Sequence, residues 1–98
     1  MVSGYYVEDN SNIDEKKLDA ASRLYASGDF LGALKIYLDI ANASYSYKLY
    51  YEIGRCYYKL NNMSEAESYF SRSIALVEEK NPSYIFLGNI VSKQGDMQ

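Results

Sequence analysis

The residues that could support chemistry are one cysteine and a set of carboxylates, because the 98-residue chain contains no histidine. The lack of histidine removes the commonest general base and the commonest metal ligand. The single cysteine, Cys56, cannot form an internal disulfide and has no histidine to activate it as a nucleophile. Most other candidates lie in predicted first turns of helices, where the helix dipole already explains a carboxylate. These are Asp14, Glu15, Glu65 and Glu67. The sequence therefore predicts a protein that is not an enzyme and that needs neither a cofactor nor a metal.

Composition and charge limit the binding partners. Apolar residues make up 48% of the chain and charged residues 23%, which is typical of a soluble globular domain. The net charge is -3 and the ten basic residues are scattered, so we expect no binding to nucleic acid or to an anionic membrane. The first ten residues lack the blocks of a signal peptide, and no apolar run approaches the ~18 residues of a membrane span. We expect a cytoplasmic protein.

Five helices are predicted from apolar residues at helical spacing and from capping residues. Residues 1–12 are polar and without a period, and we expect them to form a flexible lead-in. The predicted N-terminal caps are Asn12, Asp29, Asn62 and Asn81, of which Asn12 and Asn62 have the spacing of a capping box. Gly28 is predicted to stop the first helix, and the third and fourth helices are predicted to end at Leu60 and at about Glu79. The fifth helix is predicted to end at Gln94 and to be closed by Gly95. The third helix is predicted to begin at about Tyr47 and the fifth at Ser83.

Residues of the third helix recur about 34 positions later, which is the period of a helix-turn-helix repeat. Tyr50, Ile53, Gly54 and Tyr57 recur as Tyr84, Leu87, Gly88 and Val91. About 33 positions earlier, Gly28-Asp29, Ala33 and Tyr37 match Asn61-Asn62, Ala66 and Phe70. A recurring glycine favours a packing role, in which small residues let two antiparallel helices touch and aromatic rings fill the flanks.

At these residues the chain resembles the tetratricopeptide repeat family. Cys56 lies where the family usually has alanine, so the resemblance implies that it is a small buried residue. The second unit matches best, the first unit matches mainly in its second half, and the third shows its first helix and a turn at Gly95-Asp96. The resemblance implies an all-α fold in which antiparallel helix pairs stack into a right-handed superhelix of about two and a half repeats. We expect a domain over residues 13–98 with repeats at 14–46 and 47–80 and a partial repeat at 81–98.

The resemblance also implies a non-catalytic protein-protein interaction module that binds a peptide or helix on the concave face lined by the first helices. The predicted groove residues are Leu18, Ser22, Tyr25, Lys48, Tyr51, Glu52, Arg55, Tyr58, Ile85, Phe86 and Asn89. Tyr51 and Arg55 are the leading contact candidates. Tyr25 and Tyr58 fit equally well as packing residues between repeats.

One binding mode of the family is not expected. Its members that grip the acidic tails of heat-shock chaperones use a clamp of Lys, Asn and basic residues for two carboxylates. The corresponding positions here are Leu18, Ser22, Glu52, Pro82 and Phe86. They offer a carboxylate no cationic donor and one negative charge, so the clamp is predicted to be absent.

The fifth helix supports an alternative function, because it is apolar on most sides. We expect a patch of Ile85, Phe86, Leu87 and Ile90 to be exposed unless further repeats beyond Gln98 or another copy cover it. The alternative is a structural or self-associating segment of a longer solenoid scaffold.

Overall fold

The computed structural model describes residues 14–44 and 46–96, with the backbone alone for residues 94–96. The described residues form five α-helices and no strand, so the predicted all-helical class is confirmed. The helices are α1 Glu15–Ala26, α2 Phe30–Ala41, α3 Tyr47–Lys59, α4 Met63–Leu76 and α5 Ser83–Asp96. The predicted lead-in at residues 1–12 lies outside the described residues. The right-handed superhelix and the division into repeats stay predictions.

The turns that close α1 and α3 have the same geometry. Gly28 and Asn61 both adopt a left-handed backbone conformation, with φ of 94° and 65°. In each turn, two carbonyls near the end of the helix accept hydrogen bonds from two backbone N–H groups. The pattern is the same in both turns and is that of a Schellman motif. The bonds run from Asp29 to Leu24 (2.8 Å), Gly28 to Tyr25 (3.0 Å), Asn62 to Tyr57 (2.8 Å) and Asn61 to Tyr58 (3.0 Å). Each turn reverses the chain, so that the next helix packs back on the one before.

The predicted caps of α2 and α4 are confirmed, whereas that of α1 is wrong. The Asp29 carboxylate accepts from the Gly32 N–H at 2.9 Å, and the Asn62 side chain accepts from the Glu65 N–H at 3.3 Å. The cap of α1 is Asp14, whose carboxylate accepts from the Lys16 N–H at 2.9 Å. It also accepts from the Lys17 N–H at 3.4 Å, so Asp14 serves two of the free N–H groups of the first turn. Asn12 itself lies outside the described residues.

Two predicted helix ends are also wrong. The fourth helix ends at Leu76 rather than near Glu79, because Val77 is extended (φ -141°) and its carbonyl accepts the Asn81 side-chain amide at 2.8 Å. The same amide donates to Ser73 Oγ at 2.9 Å, and Asn81 Oδ1 caps α5 by accepting from the Ser83 N–H at 2.9 Å. The fifth helix continues through Gly95, since a glycine permits a helix end without requiring one.

The crossing of α3 and α4 confirms the predicted close packing. A Cβ built on Gly54 would lie 2.7 Å from Phe70 Cε1, so the ring occupies the space that any side chain at this position would need. Ala66 and Phe70 are fully buried. Cys56 is fully buried as well, in a core cluster that spans α1, α2 and α3. The small residues therefore bring the helices together as the repeat pattern predicts.

The C-terminal helix differs from expectation on two of its faces. No atom lies within 4 Å of a Cβ built on Gly88, so this glycine has no packing partner among the described residues. The predicted exposed patch is wrong for Ile90, which is fully buried against Ala66 and Phe70 because that side of α5 packs on α4. Phe86 and Leu87 of the same patch are half-buried against this cluster. The exposed large side chains of α5 are Tyr84, Ile85 and Val91.

Candidate protein-binding face

Side chains from α1, α3 and α5 meet along one side of the molecule. Arg55 of α3 lies against Tyr25 of α1, while Tyr51 and Tyr58 of α3 contact Phe86 of α5. We call the surface of these five residues the first-helix face. It is a strip of aromatic rings around one guanidinium group, formed by the odd-numbered helices of the described residues.

Arg55 is held on three sides. Its guanidinium carbon lies 4.3 Å from the centroid of the Tyr25 ring and 5.5 Å from that of Tyr51. Its Nη1 donates to the Glu52 carboxylate at 2.9 Å, one turn back on the same helix. The side chain nevertheless keeps 28% of its surface exposed. The arrangement leaves guanidinium N–H groups for an external acceptor, because Glu52 engages only one edge.

The carboxylate beside Arg55 is destabilised by its surroundings. Burial raises the pKa of Glu52, and the attraction and hydrogen bond of Arg55 oppose only part of that rise. Burial also raises the pKa of the Tyr51 hydroxyl. Glu52 and Arg55 are therefore partly shielded from water. In such surroundings a charged interaction with a ligand is stronger than at the open surface.

The aromatic end of the face also belongs to the fold. Phe86 stacks on the buried Phe70 with ring centroids 5.0 Å apart, and it contacts Tyr51 at 5.8 Å and Tyr58 at 5.2 Å. Tyr25 packs edge-on against Phe30 at 5.0 Å. Tyr25 and Tyr58 thus pack between helices while both remain half-buried. This packing fixes the exposed edges of the rings that a partner would meet.

The other predicted groove residues differ in exposure. Leu18 is half-buried against the first core cluster. Ser22, Lys48, Ile85 and Asn89 are exposed, and Ile85 has 67% of its surface accessible. Contact of any groove residue with a partner stays a prediction.

A cavity beside the first-helix face contains residues that the sequence did not indicate. It has a volume of about 320 Å³ and is lined by Tyr47, Lys48, Tyr51, Glu52, Lys80 and Pro82. Lys80 and Pro82 come from the connection between α4 and α5, and Lys80 reaches its place through a left-handed backbone conformation (φ 57°). Non-glycine residues seldom adopt that conformation, so no pattern in the sequence indicated this contribution.

A second groove lies on the side of α2 and α4. Its volume is about 610 Å³, and its lining residues are Lys35, Leu38, Asp39, Ala41, Asn42, Tyr50, Tyr69 and Arg72. Arg72 lies 4.5 Å from the Tyr69 ring centroid, and Asp39 is paired with Lys17 at 2.7 Å. The sequence reasoning missed this groove because its residues come from three helices and share no motif.

The described residues offer little for metal or thiol chemistry. Within residues 14–44 and 46–96, no group of three or more Cys, Asp or Glu side chains is placed to hold a metal ion. Burial raises the pKa of the Cys56 thiol to about 12, and the thiol is therefore protonated and poorly nucleophilic at neutral pH. None of the helices in the described ranges has the length and apolar character to cross a membrane.

Comparison with known proteins confirms the resemblance read from the sequence. Residues 47–80, which comprise α3, α4 and their flanks, match the family model of the tetratricopeptide repeat. No curated protein matches the chain. The chain therefore carries a tetratricopeptide repeat in this segment. Such repeats are generally non-catalytic and typically mediate binding to protein partners, which suggests a protein-protein interaction module.

Proposed function

We propose that the first-helix face binds an extended peptide or a helix of a partner protein. The family resemblance implies that this face is the concave side. The observation that carries the proposal is the fixed position of Arg55 between two tyrosine rings and Glu52. Arginine and tyrosine are enriched among the residues that dominate binding energy at protein interfaces. Because neighbouring side chains already order Arg55, binding costs less side-chain entropy than it would at a mobile arginine.

Charge favours a partner segment with acidic residues. Besides Arg55, the face is bordered by Lys48, by Lys59 with its Nζ 5.9 Å from the Phe30 ring, and by Lys93 with its Nζ 5.4 Å from the Tyr58 ring. Glu52, a carboxylate on the same helix as Arg55, is already paired with that arginine. The surplus of positive charge contrasts with the net charge of -3 for the whole chain. It would speed association with an acidic peptide and favour it over a basic one.

The small cavity provides a place for one side chain of such a peptide. Its rim carries Lys48 and Lys80, and its wall includes the Tyr51 ring. A volume of about 320 Å³ is at the lower end of the range for ligand pockets and exceeds that of a single amino-acid side chain. We assign it to an acidic or aromatic side chain next to the segment that contacts Arg55.

The proposal is tested with peptides selected from a random library displayed on phage, with the whole 98-residue chain as bait. Selected peptides are labelled and titrated in fluorescence polarisation against the unmodified chain and the variant Arg55→Ala. We expect acidic peptides and a loss of affinity of about tenfold or more in the variant, as is usual for an interface arginine.

Arg72→Ala is the matched control, because Arg72 also lies over a tyrosine ring but on the α2 and α4 side. It should leave the affinity within about twofold, since it is remote from the first-helix face. A loss confined to Arg72→Ala would contradict the proposal and assign binding to the second groove. Peptides that bind both variants as tightly as the original chain would contradict it as well.

A further inference from the structure

The second groove is built from three helices and shares no residue with the first-helix face. Lys35 and Asp39 belong to α2, Tyr50 to α3 and Arg72 to α4. These side chains meet because α3 packs against both α2 and α4. The volume of about 610 Å³ lies within the range of ligand-binding pockets. A ligand in this groove is therefore distinct from a peptide at the first-helix face.

Two cations of the second groove have no counter-ion among the described residues. Lys35 and Arg72 are exposed, and neither forms an ion pair with another described residue. The Asp39 carboxylate of the groove is engaged from outside it by Lys17 of α1, whose Nζ lies 2.7 Å from Asp39 Oδ2. The groove thus keeps two uncompensated positive charges, although the whole chain has a net charge of -3. Such a charge distribution attracts an anion with two negative charges.

Arg72 is held in place by a stack of tyrosine rings. Its guanidinium carbon lies over the Tyr69 ring, 4.5 Å from the centroid. Tyr69 in turn stacks on Tyr57, with centroids 5.7 Å apart, and packs against Tyr50 at 6.0 Å. Contact through the flat face of the guanidinium leaves the N–H groups at its edge for an external acceptor. This planar fork of donors matches two oxygens of a phosphate group.

We propose that the second groove binds the phosphorylated side chain of a tyrosine on a partner protein. A phosphate monoester carries a charge of about -1.5 to -2 at neutral pH, which balances Lys35 and Arg72 together. A carboxylate, with one negative charge, would leave one of the two cations unbalanced. The phosphate would therefore lie between α2 and α4, with the guanidinium of Arg72 as its main hydrogen-bond donor.

The apolar lining of the groove favours a phosphate attached to an aromatic ring. Leu38 and Ala41 are half-buried beside the first core cluster, and the Tyr50 ring is half-buried as well. A phosphotyrosine ring would cover these groups and remove apolar surface from water. Phosphoserine offers a single methylene group in place of the ring, so it would leave the same apolar surface exposed.

The probe is capped phosphotyrosine, N-acetyl-O-phosphotyrosine amide. It is titrated into the whole ¹⁵N-labelled chain, and the dissociation constant is taken from the amide shift changes, which should be largest around Lys35, Tyr50 and Arg72. The comparison ligands are capped tyrosine, capped phosphoserine and adenosine monophosphate. We expect each of them to bind at least fivefold more weakly than capped phosphotyrosine.

Lys35→Gln and Arg72→Gln each remove one cation of the groove. Both side chains are exposed, so the fold should be preserved, which circular dichroism verifies. Each variant should bind capped phosphotyrosine at least fivefold more weakly. Arg23→Gln is the matched control, because it removes the same charge from an exposed arginine of α1 that lies outside the groove and pairs with Asp19. It should bind within about twofold of the original chain.

Four results would overturn the proposal. Two are the absence of shift changes in the groove and an affinity that neither Lys35→Gln nor Arg72→Gln alters. Capped phosphoserine that binds as tightly as capped phosphotyrosine would remove the role of the ring. Adenosine monophosphate that binds as tightly would assign the groove to a nucleotide. Peptides displayed on phage carry no phosphate, so the test of the first-helix face succeeds or fails independently of this one.

Discussion

The hairpins α1–α2 and α3–α4 have turns of the same geometry but differ where their helices cross. Both turns place a left-handed residue, Gly28 or Asn61, between the same hydrogen bonds. At the crossing, α1 has Ala21 where α3 has Gly54, and both are fully buried or covered. The turn is therefore the same in the two hairpins, whereas the crossing differs with the side chains that meet in each.

The outer faces of the two hairpins differ in a second respect. Asp19 and Arg23 of α1 form an ion pair at 2.9 Å whose side chains are 63% and 81% exposed. An ion pair on α3, formed by Glu52 and Arg55, has the same distance but is only 31% and 28% exposed. An exposed ion pair contributes little to stability, whereas the contribution of a partly buried pair depends strongly on desolvation and on neighbouring groups. The second hairpin thus holds the more specific polar site.

The largest effect is expected from removing the ring at the tighter crossing. Phe70→Ala should lower the free energy of unfolding by about 3 to 5 kcal/mol, because the ring is fully buried and its loss leaves a cavity above Gly54. Urea denaturation followed by circular dichroism measures the change. Tyr84→Ala on the exposed side of α5 is the control, with an expected change below about 0.5 kcal/mol. Equal changes in the two variants would show that Phe70 does not anchor the hairpin.

Overfilling the crossing should have the next largest effect. Ala66→Leu should destabilise the protein by about 1 to 3 kcal/mol, because this alanine of α4 is fully buried against α3 and α5. Ala33→Leu, at the same place in the first hairpin, should behave alike. The exposed neighbour Glu67 provides the control Glu67→Leu, which should change little. Thermal unfolding that ranks Glu67→Leu with Ala66→Leu would disprove the assigned register.

Exchanging the residues at the two crossings tests whether each unit is fitted to its own side chain. Gly54→Ala should cost about 1 kcal/mol, since the clash with Phe70 exceeds the gain in helix propensity. Ala21→Gly should also cost about 1 kcal/mol, through lost propensity and a buried methyl group. Chemical denaturation of both variants provides the measurement. Stabilisation by Gly54→Ala would mean that the Phe70 ring can move aside.

The smallest effect is a dependence of stability on acidic pH that we expect from Glu52 in the second hairpin. Because burial raises the Glu52 pKa in the folded protein, the folded state binds the proton more tightly than the unfolded chain does. This contribution to stability is present below the unfolded pKa and is lost as the pH rises through the folded one. Relative to the original chain, Glu52→Gln should therefore be more stable at about pH 7 than at about pH 4.

Asp19→Asn is the control for this experiment, since the exposed pair with Arg23 is screened by solvent. Urea titrations at both pH values measure the differences. A Glu52→Gln variant that is relatively less stable at about pH 7 would show that pairing with Arg55 outweighs burial.

Much of the fold could be predicted because local signals and the repeat agree. The caps Asp29 and Asn62, the start of α3 at Tyr47 and the contact of Gly54 with Phe70 depend on residues close in sequence or one repeat apart. The end of α4 could not be predicted. It depends on the amide of Asn81, which reaches back to carbonyl and hydroxyl groups of the helix, and tertiary hydrogen bonds of that kind leave no periodic pattern.

The candidate site was only partly predictable for the same reason. Helical spacing placed Tyr51, Glu52 and Arg55 on one side of α3, and the structure brings them together with Tyr25 of α1. Helical spacing did not reveal that Lys80 lines a cavity beside them, because a loop residue cannot be assigned to a face of a helix. The repeat also suggested a packed Gly88, but packing needs a second helix, and none of the described residues covers that glycine.

The claim that the first-helix face is where the protein binds its partner is tested most directly by nuclear magnetic resonance. A library-selected peptide is titrated into the ¹⁵N-labelled chain, and the amide shift changes are mapped on the helices. The largest changes should occur at Tyr25, Tyr51, Arg55 and their neighbours in α1 and α3, with little change around Lys35 and Arg72. Shift changes confined to the groove between α2 and α4 would contradict the claim.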